Sequence, residues 1–520
     1  MYTKNTFLKI EPTRRDFLKA TVAFGAAACL IGSSSFPARS APVRGGVLKA
    51  GMVGGAATDS LDPAVWTSNV PTFLGRHWAE QLVEVSPAGE IQPALAEEIS
   101  PSTDAKVWTF KIRKGVTFHN NKEMTPDDVV ATLERHADAK SKSGALGLLG
   151  NIQKISTAAQ HVKIDLKEPD ADFPYLMADY HLMIQPNGGK DNPIAGIGTG
   201  PYHLSVNEPG IRHIGERFPG YWRDDRGFAD QIEVIVINDA TARMSALQGG
   251  IVDIVNRVEP KVVALMKRVP GVTIRNVAGR GHYVFVAHCN TAPFDNNDLR
   301  LALKYAVDRE EMVKKILMGY GSVGNDTPIS KAYPLFTEME QRKYDPEKAA
   351  FHYKKSGHSG SILFRTSDVA FPGAVDAAQL YQQSAAKAGI TLEIKREPGD
   401  GYWSSVWNKQ PFSASYWAGR PTQDQMYTTA YYSKADWNET RFFRDDFDKM
   451  LISARGELDR EKRKKIYAAM GQIVRDEGGV IAPMFNDFID ATGPRVGGWI
   501  DDGSQEMMGA YALSKCWQQA

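Results

Sequence analysis

Cysteine is scarce: 520 residues hold three, Cys29, Cys289 and Cys516. No Cys-x-x-Cys pair occurs, which excludes a zinc ribbon or a thioredoxin-type redox pair. So few thiols also exclude a disulfide framework, while a single Cys289–Cys516 bridge stays open. After the N-terminal segment no run reaches ~18 apolar residues, so no permanent membrane-spanning helix is expected. Charge of one sign is lacking too: 62 Lys and Arg face 61 Asp and Glu. A near-neutral body has no counterion-release drive toward nucleic acid, and none is expected as a partner. Enzyme signatures are absent, including the Gly-x-Ser-x-Gly elbow, His-Glu-x-x-His and the Gly-Lys-Ser/Thr phosphate loop. Gly198-Thr199-Gly200 runs into Pro201, which spoils a dinucleotide loop. The histidines are scattered rather than paired at ligand spacing. No catalytic residue, cofactor or metal ligand is therefore expected, and the protein is read as a non-enzyme.

What is present begins with a leader. Within residues 1–40, Lys4, Lys9, Arg14, Arg15, Lys19 and Arg39 face only Glu11 and Asp16. The stretch TRRDFLKATVAFGAAACLIGSSSFPARSA orders a basic region, an apolar run from about Ala20 to Ile31, and small residues. That is signal-peptide architecture, and Thr13-Arg14-Arg15-Asp16-Phe17-Leu18-Lys19 resembles the twin-arginine export motif. Cys29 sits inside the apolar run without a preceding Leu, which argues against lipidation. Residues 1–41 are read as the exported leader, and the expected location is the periplasm.

Periodicity along the rest points to an α/β protein. GGVLKAGMV, HVKIDLKEP, QIEVIVIND, HYVFVAHCN, SGSILFRTS and TLEIKREP read as strands. A helix opens at Thr125 as N-cap, with Pro126 at the first position and Asp127-Asp128 complementing the dipole. ARMSALQGG reads as a helix stopped by Gly249-Gly250, and DNNDLRLALKYAVDREEMVKKIL as one long amphipathic helix. The order SILFRTS, GAVDAAQLYQQSAAKAGI, TLEIKREP is strand–helix–strand and implies parallel pairing. Two more helices are expected around DDFDKMLISARGEL and EKRKKIYAAMGQIVRD.

Between Tyr402 and Phe443 aromatic residues are dense and interspersed with Gly, Pro, Asn, Arg and Asp, a mixture suited to a small-molecule cleft. At its centre SASYWAGRPTQD reads as a turn, because of Gly419 and Pro421. It places Tyr416, Trp417, Arg420 and Asp424 on one loop. Arg420 either grips an anionic ligand group or pairs internally with Asp424; both stay open at this point. Trp403 and Trp417 are candidate stacking surfaces, and Asp424 would take a donor or orient the guanidinium. Phe371, Asp326, Asn438, Tyr180 and His181 are further cleft candidates.

An ordered series of motifs resembles the extracytoplasmic solute-binding proteins of ABC importers, family 5, the oligopeptide, dipeptide and nickel class. The matches are Ser60-Leu61-Asp62-Pro63, Pro93-Ala94-Leu95-Ala96-Glu97, Trp108 through His119, Thr125-Pro126-Asp127-Asp128-Val129, and Gly198-Thr199-Gly200-Pro201-Tyr202. Gly220-Tyr221-Trp222, Ala246-Leu247-Gln248-Gly249-Gly250 and Pro293-Phe294-Asp295 follow in order. The resemblance implies a two-lobed periplasmic-binding-protein α/β fold (class II-like, cluster C) with an extra inserted subdomain. Lobe I would comprise 42–62, 199–287 and 488–520, the inserted subdomain 63–198, and lobe II 288–487. It also implies hinge closure on a ligand, an ABC permease and ATPase subunits as partners, and a monomer. Oligopeptide binders of the class carry an aspartate just after the Trp of the corresponding loop, receiving the peptide's amino terminus. Here Ala418-Gly419-Arg420 stands instead. A guanidinium favours carboxylate or phosphate, so the expected ligand bears a carboxylate: a short peptide, an opine-like sugar–amino-acid conjugate or similar. The alternative is a metal or metallophore binder of the nickel type, and a more distant one a periplasmic enzyme.

Overall fold

A computed structural model describes residues 41–519 apart from 67, 368, 369, 399–401 and 436, and leaves out the side chains of Trp403 and Ser404. The expected leader therefore lies outside the described residues. Residues from Pro42 onward form a single unit. Its backbone is an eleven-stranded mixed sheet. From one edge the strands run Leu392–Arg396, Ile362–Thr366, Phe412–Trp417, Thr273–Ala287 and Val480–Thr492. Ile254–Val255, Val47–Met52, Gln231–Val236, Arg212–Arg217 and Tyr202–Glu208 continue it, and Gly321–Val323 pairs with Val480–Thr492 off that path. The expected parallel pairing is found, with Ile362 opposite Leu392 and Val47 opposite Gln231.

Two long antiparallel strands tie the halves of this sheet together. Thr273 faces Thr492 at one end and Val286 faces Val480 at the other. Their register shifts between Ala278 and His282, at Gly279-Arg280-Gly281. A Cβ on Gly279 would lie 2.4 Å from the Phe488 ring, and one on Gly281 2.7 Å from Asn486 Oδ1, so any larger residue would push a neighbouring side chain aside.

Separate cores lie on the two sides of this crossing. The first module buries Leu48, Trp66, Phe73, Trp78, Tyr202, Val234 and Leu513 together. The second buries Phe285, Leu303, Phe364, Tyr381 and Phe412 on one face of the sheet, and Trp417, Tyr427, Phe447, Tyr467 and Met470 on the other. A third core belongs to a separate antiparallel sheet, Ala96–Pro101, Val107–Ile112, His161–Leu166 and Ile152–Ala158, covered by helix Pro126–Ala137. In that helix Thr125 and Asp128 close a reciprocal capping box.

One expected element is divided. The long helix over 295–317 is two, Asn297–Tyr305 and Arg309–Lys315. Asn296 caps the first, and Asp308 caps the second by accepting from Glu311 N at 3.0 Å. A strong internal N-cap starts a new helix where apolar spacing alone would continue the old one.

Candidate ligand-binding site

Strand Phe412–Trp417 lies antiparallel to Thr273–Ala287, with Trp417 opposite His282 and Tyr416 opposite Tyr283. The chain then turns at Gly419, whose φ is +86°. A Cβ there would sit 2.4 Å from Arg280 Cβ, so only glycine lets the turn close on the crossing strand. Thr422 then caps helix Gln423–Ala430.

Arg420 sits on this turn. Its backbone N–H donates to Tyr333 Oη at 3.0 Å, and its guanidinium donates to the Gly419 carbonyl at 2.8 Å. The guanidinium lies 5.5 Å from the centre of the Trp417 ring. Among the described residues no carboxylate pairs with it. Trp417 is fixed in turn: its indole N–H donates to Glu439 Oε1 at 2.7 Å, and the Trp407 indole donates to the same carboxylate. Burial raises the Glu439 carboxyl, and the indole donors partly offset that.

A second guanidinium shares this neighbourhood. Arg280 is 5 % exposed, donates Nε–H to the Ala332 carbonyl at 3.0 Å and lies 5.6 Å from the Tyr333 ring centre. It too has no carboxylate partner among the described residues, and burial lowers its pKa. Beside it His282 is fully buried and pulled down to about 4, chiefly by burial and further by Arg420. Tyr180, packed against the core of the first module, and His181 have rings 4.1 Å apart. Burial and Asp179 push Tyr180 up to about 12, while Arg420 and Arg76 act against that shift. His181 is anchored by Asp179 at 2.6 Å and the Trp66 carbonyl at 3.1 Å. Tyr416 is 48 % exposed on the same strand as Trp417.

The remaining candidates belong elsewhere. Asp424 is not on the turn but in the first helical turn after it, where it accepts from Arg455 Nε at 3.1 Å rather than orienting Arg420. An internal Arg420–Asp424 pair is therefore not formed. Asp326 is fully buried between Arg309 at 2.5 Å and Arg342 at 2.9 Å, which hold its charge inside the second module. Asn438 folds its own loop, donating to the carbonyls of Tyr431, Tyr432 and Phe442 and accepting from Phe442 N–H. Phe371 is a core residue stacked on Tyr283 at 4.3 Å. The Trp403 side chain lies outside the described residues. Of the aromatic cluster, Tyr402, Phe412, Tyr427, Tyr431 and Phe442 are core as well.

Arg280, Tyr333 and Glu439 surround this turn without being singled out by the sequence pattern. A signal for the first existed: an arginine between two glycines inside an alternating strand marks a bulge where a side chain is re-aimed. Nothing local marks the other two.

Residues 90–439 match the family described as bacterial extracellular solute-binding proteins, family 5 Middle. Heme-binding protein A of Haemophilus influenzae is 25% identical over 455 residues, covering 79% of this chain and 82% of that one. Glutathione-binding protein GsiB of Escherichia coli is 25% identical over 510 residues, covering 92% and 95%. The structure of the ABC transporter substrate-binding protein CtaP of Listeria monocytogenes superposes with a TM-score of 0.81 at 22% identity, over 92% of this chain and all of that one. The two-lobed α/β fold with an inserted subdomain is thus the fold of this chain.

Proposed function

We propose, from the premise that the chain belongs to the bacterial extracellular solute-binding proteins of family 5, that it captures a small carboxylate-bearing ligand between its lobes. In this reading the protein works in the periplasm after twin-arginine export and delivers its ligand to an ABC permease driven by ATPase subunits. Family membership leaves the ligand open, since two relatives are named for heme and for glutathione. The site therefore has to carry the ligand class.

Arg420 is the observation that carries it. A guanidinium lying over a fixed indole, with no carboxylate partner among the described residues, is suited to receive an anion. Arg280 adds positive charge behind it. An ammonium group placed here would meet repulsion, so the amino-terminal anchoring typical of oligopeptide binders is not supported at this turn. A short peptide held by its carboxylate, or an opine-like conjugate, fits better. Closure follows from differential contact: a ligand touching both lobes stabilises the arrangement in which they meet.

The test joins mass spectrometry of the compound that co-purifies with a titration of that compound. Arg420→Ala should weaken binding by roughly 10- to 150-fold, the equivalent of about 1.5–3 kcal/mol for a charged hydrogen bond. Its unfolding temperature should stay near wild type. Arg420→Lys should recover only part of the loss, because a point charge does not reproduce the planar fork. Equal affinity in wild type and Arg420→Ala would reject the anion reading.

A further inference from the structure

Charge does not balance where the module built on the separate antiparallel sheet meets the second one. Asp170 and Asp172, just before helix Phe173–Leu176, enter a wall made by helices Gln423–Ala430, Asp445–Gly456 and Arg460–Glu477. Ala171 N–H donates to the Arg455 carbonyl at 2.6 Å, and Arg463 bonds Asp172 at 2.7 Å, both side chains under one-tenth exposed. Asp172 also accepts from Thr422. Arg455 bonds Asp424 at 3.1 Å, with Thr428 donating to the same carboxylate. Asp170 is 6 % exposed and, among the described residues, accepts only the Asp172 backbone N–H, at 2.9 Å. Two guanidiniums thus serve three buried carboxylates.

The surrounding groups do not repair the deficit. Tyr175 and Tyr467 are neutral phenols whose ionisation burial pushes further up. At the rim Glu90 and Arg460 pair at 3.1 Å, both about half exposed, and cancel each other. Asp172 and Asp424 each hold a guanidinium. Asp170 holds none, and an unpaired ionised carboxylate at this depth is neutralised rather than tolerated.

We propose that Asp170 takes up a proton from solvent as the two modules close, so that closure tightens as pH falls. This rests on the closure reading above and adds the proton to it. Burial, then Asp424 and Asp172, hold the Asp170 carboxyl well above its ordinary range. Opening exposes it to water, where its ordinary value near 4 returns. A group raised in the closed form favours closure fully below its open-form value. That advantage is lost as pH rises through the closed-form value. Between the two values, one proton changes the closing equilibrium by up to about tenfold per pH unit.

The test is small-angle scattering of the mature, ligand-free protein between mildly acidic and mildly basic pH. The wild type should contract as pH falls, and Asp170→Asn, a mimic of the protonated side chain, should stay contracted throughout. If Asp170→Asn retains the wild-type pH response, or the wild type shows none, the proposal fails. Should Asp170→Asn not fold, Arg455→Gln removes a compensating charge and must move the wild-type midpoint to higher pH; an unmoved midpoint also overturns the proposal. A protein that contracts with its co-purified compound but not with acid would keep the closure reading and lose this one. Contraction with neither would remove both.

Discussion

Asp326 is fully buried and answers to two guanidiniums, Arg309 and Arg342, that are themselves nearly inaccessible. Taking one partner from a buried ion cluster strands the others, at a cost of about 3–5 kcal/mol. Asp326→Ala should lose roughly that much in urea unfolding, because Arg309 would remain in the core without a counter-charge and Arg342 would keep only its bond to Asp476 at 2.7 Å. Asp490 presents the opposite case. It is buried beside Glu506, accepts Met507 N–H at 2.6 Å, and is pushed up to about 8, mainly by burial. The unfolded value is near 4. Its neutral form therefore favours folding at low pH, and that contribution disappears as pH rises toward 8. Asp490→Asn keeps an acceptor for Met507 without the ionisation. The variant should gain stability relative to wild type by up to about 1.4 kcal/mol per pH unit between those limits. Denaturant titrations of both proteins at pH 5 and pH 8 measure it, and an equal difference at the two values would contradict the assignment.

At the scale of elements, local chemistry read well where it was local. The Thr125–Asp128 capping box, the stop at Gly249 and the parallel pair Ile362–Thr366 with Leu392–Arg396 all depend on neighbours within a turn or on simple alternation. The turn at Gly419 was legible for the same reason, but its surroundings were not. Asp424 finds Arg455 thirty-one residues away, and Asp326 finds Arg309 seventeen away, distances at which spacing carries no signal. A charged residue near an aromatic cluster looks the same in sequence whether its partner is a ligand or another strand of the core. The turn itself gives a sharp test. Gly419→Ala combines a left-handed φ with a Cβ driven to 2.4 Å from Arg280 Cβ. It should cost about 1–3 kcal/mol in thermal unfolding and, by displacing Arg420, weaken ligand binding too. Gly147→Ala, where a Cβ meets nothing within 4 Å and φ is ordinary, should be nearly neutral in both assays.

At the scale of the whole molecule, the two ends of the described chain close the same core. Strand Val47–Met52 occupies the middle of the large sheet, while Met507, Met508, Leu513 and Cys516 pack against Leu48, Trp66 and Trp78. Val47 N–H even donates to the Gln518 side chain at 3.3 Å. The second module draws its two cores from between Val284 and Met484 and uses neither end. Removing residues 505–520 exposes the sites of Met507, Met508 and Leu513, each worth about 1.5–3 kcal/mol of burial. Their sum approaches the stability of an ordinary domain, about 5–15 kcal/mol. The truncated protein should therefore lose amide protection in Val47–Met52 and Asn69–Trp78. Protection should persist in Leu299–Leu303, Ala377–Ala385 and Tyr467–Val474, because those helices are held by cores the deletion does not touch. Hydrogen exchange read by mass spectrometry separates the outcomes. Loss of protection everywhere would mean that Thr273–Ala287 and Val480–Thr492 couple the lobes into one folding unit; confinement to the first module means those strands act as a hinge between two.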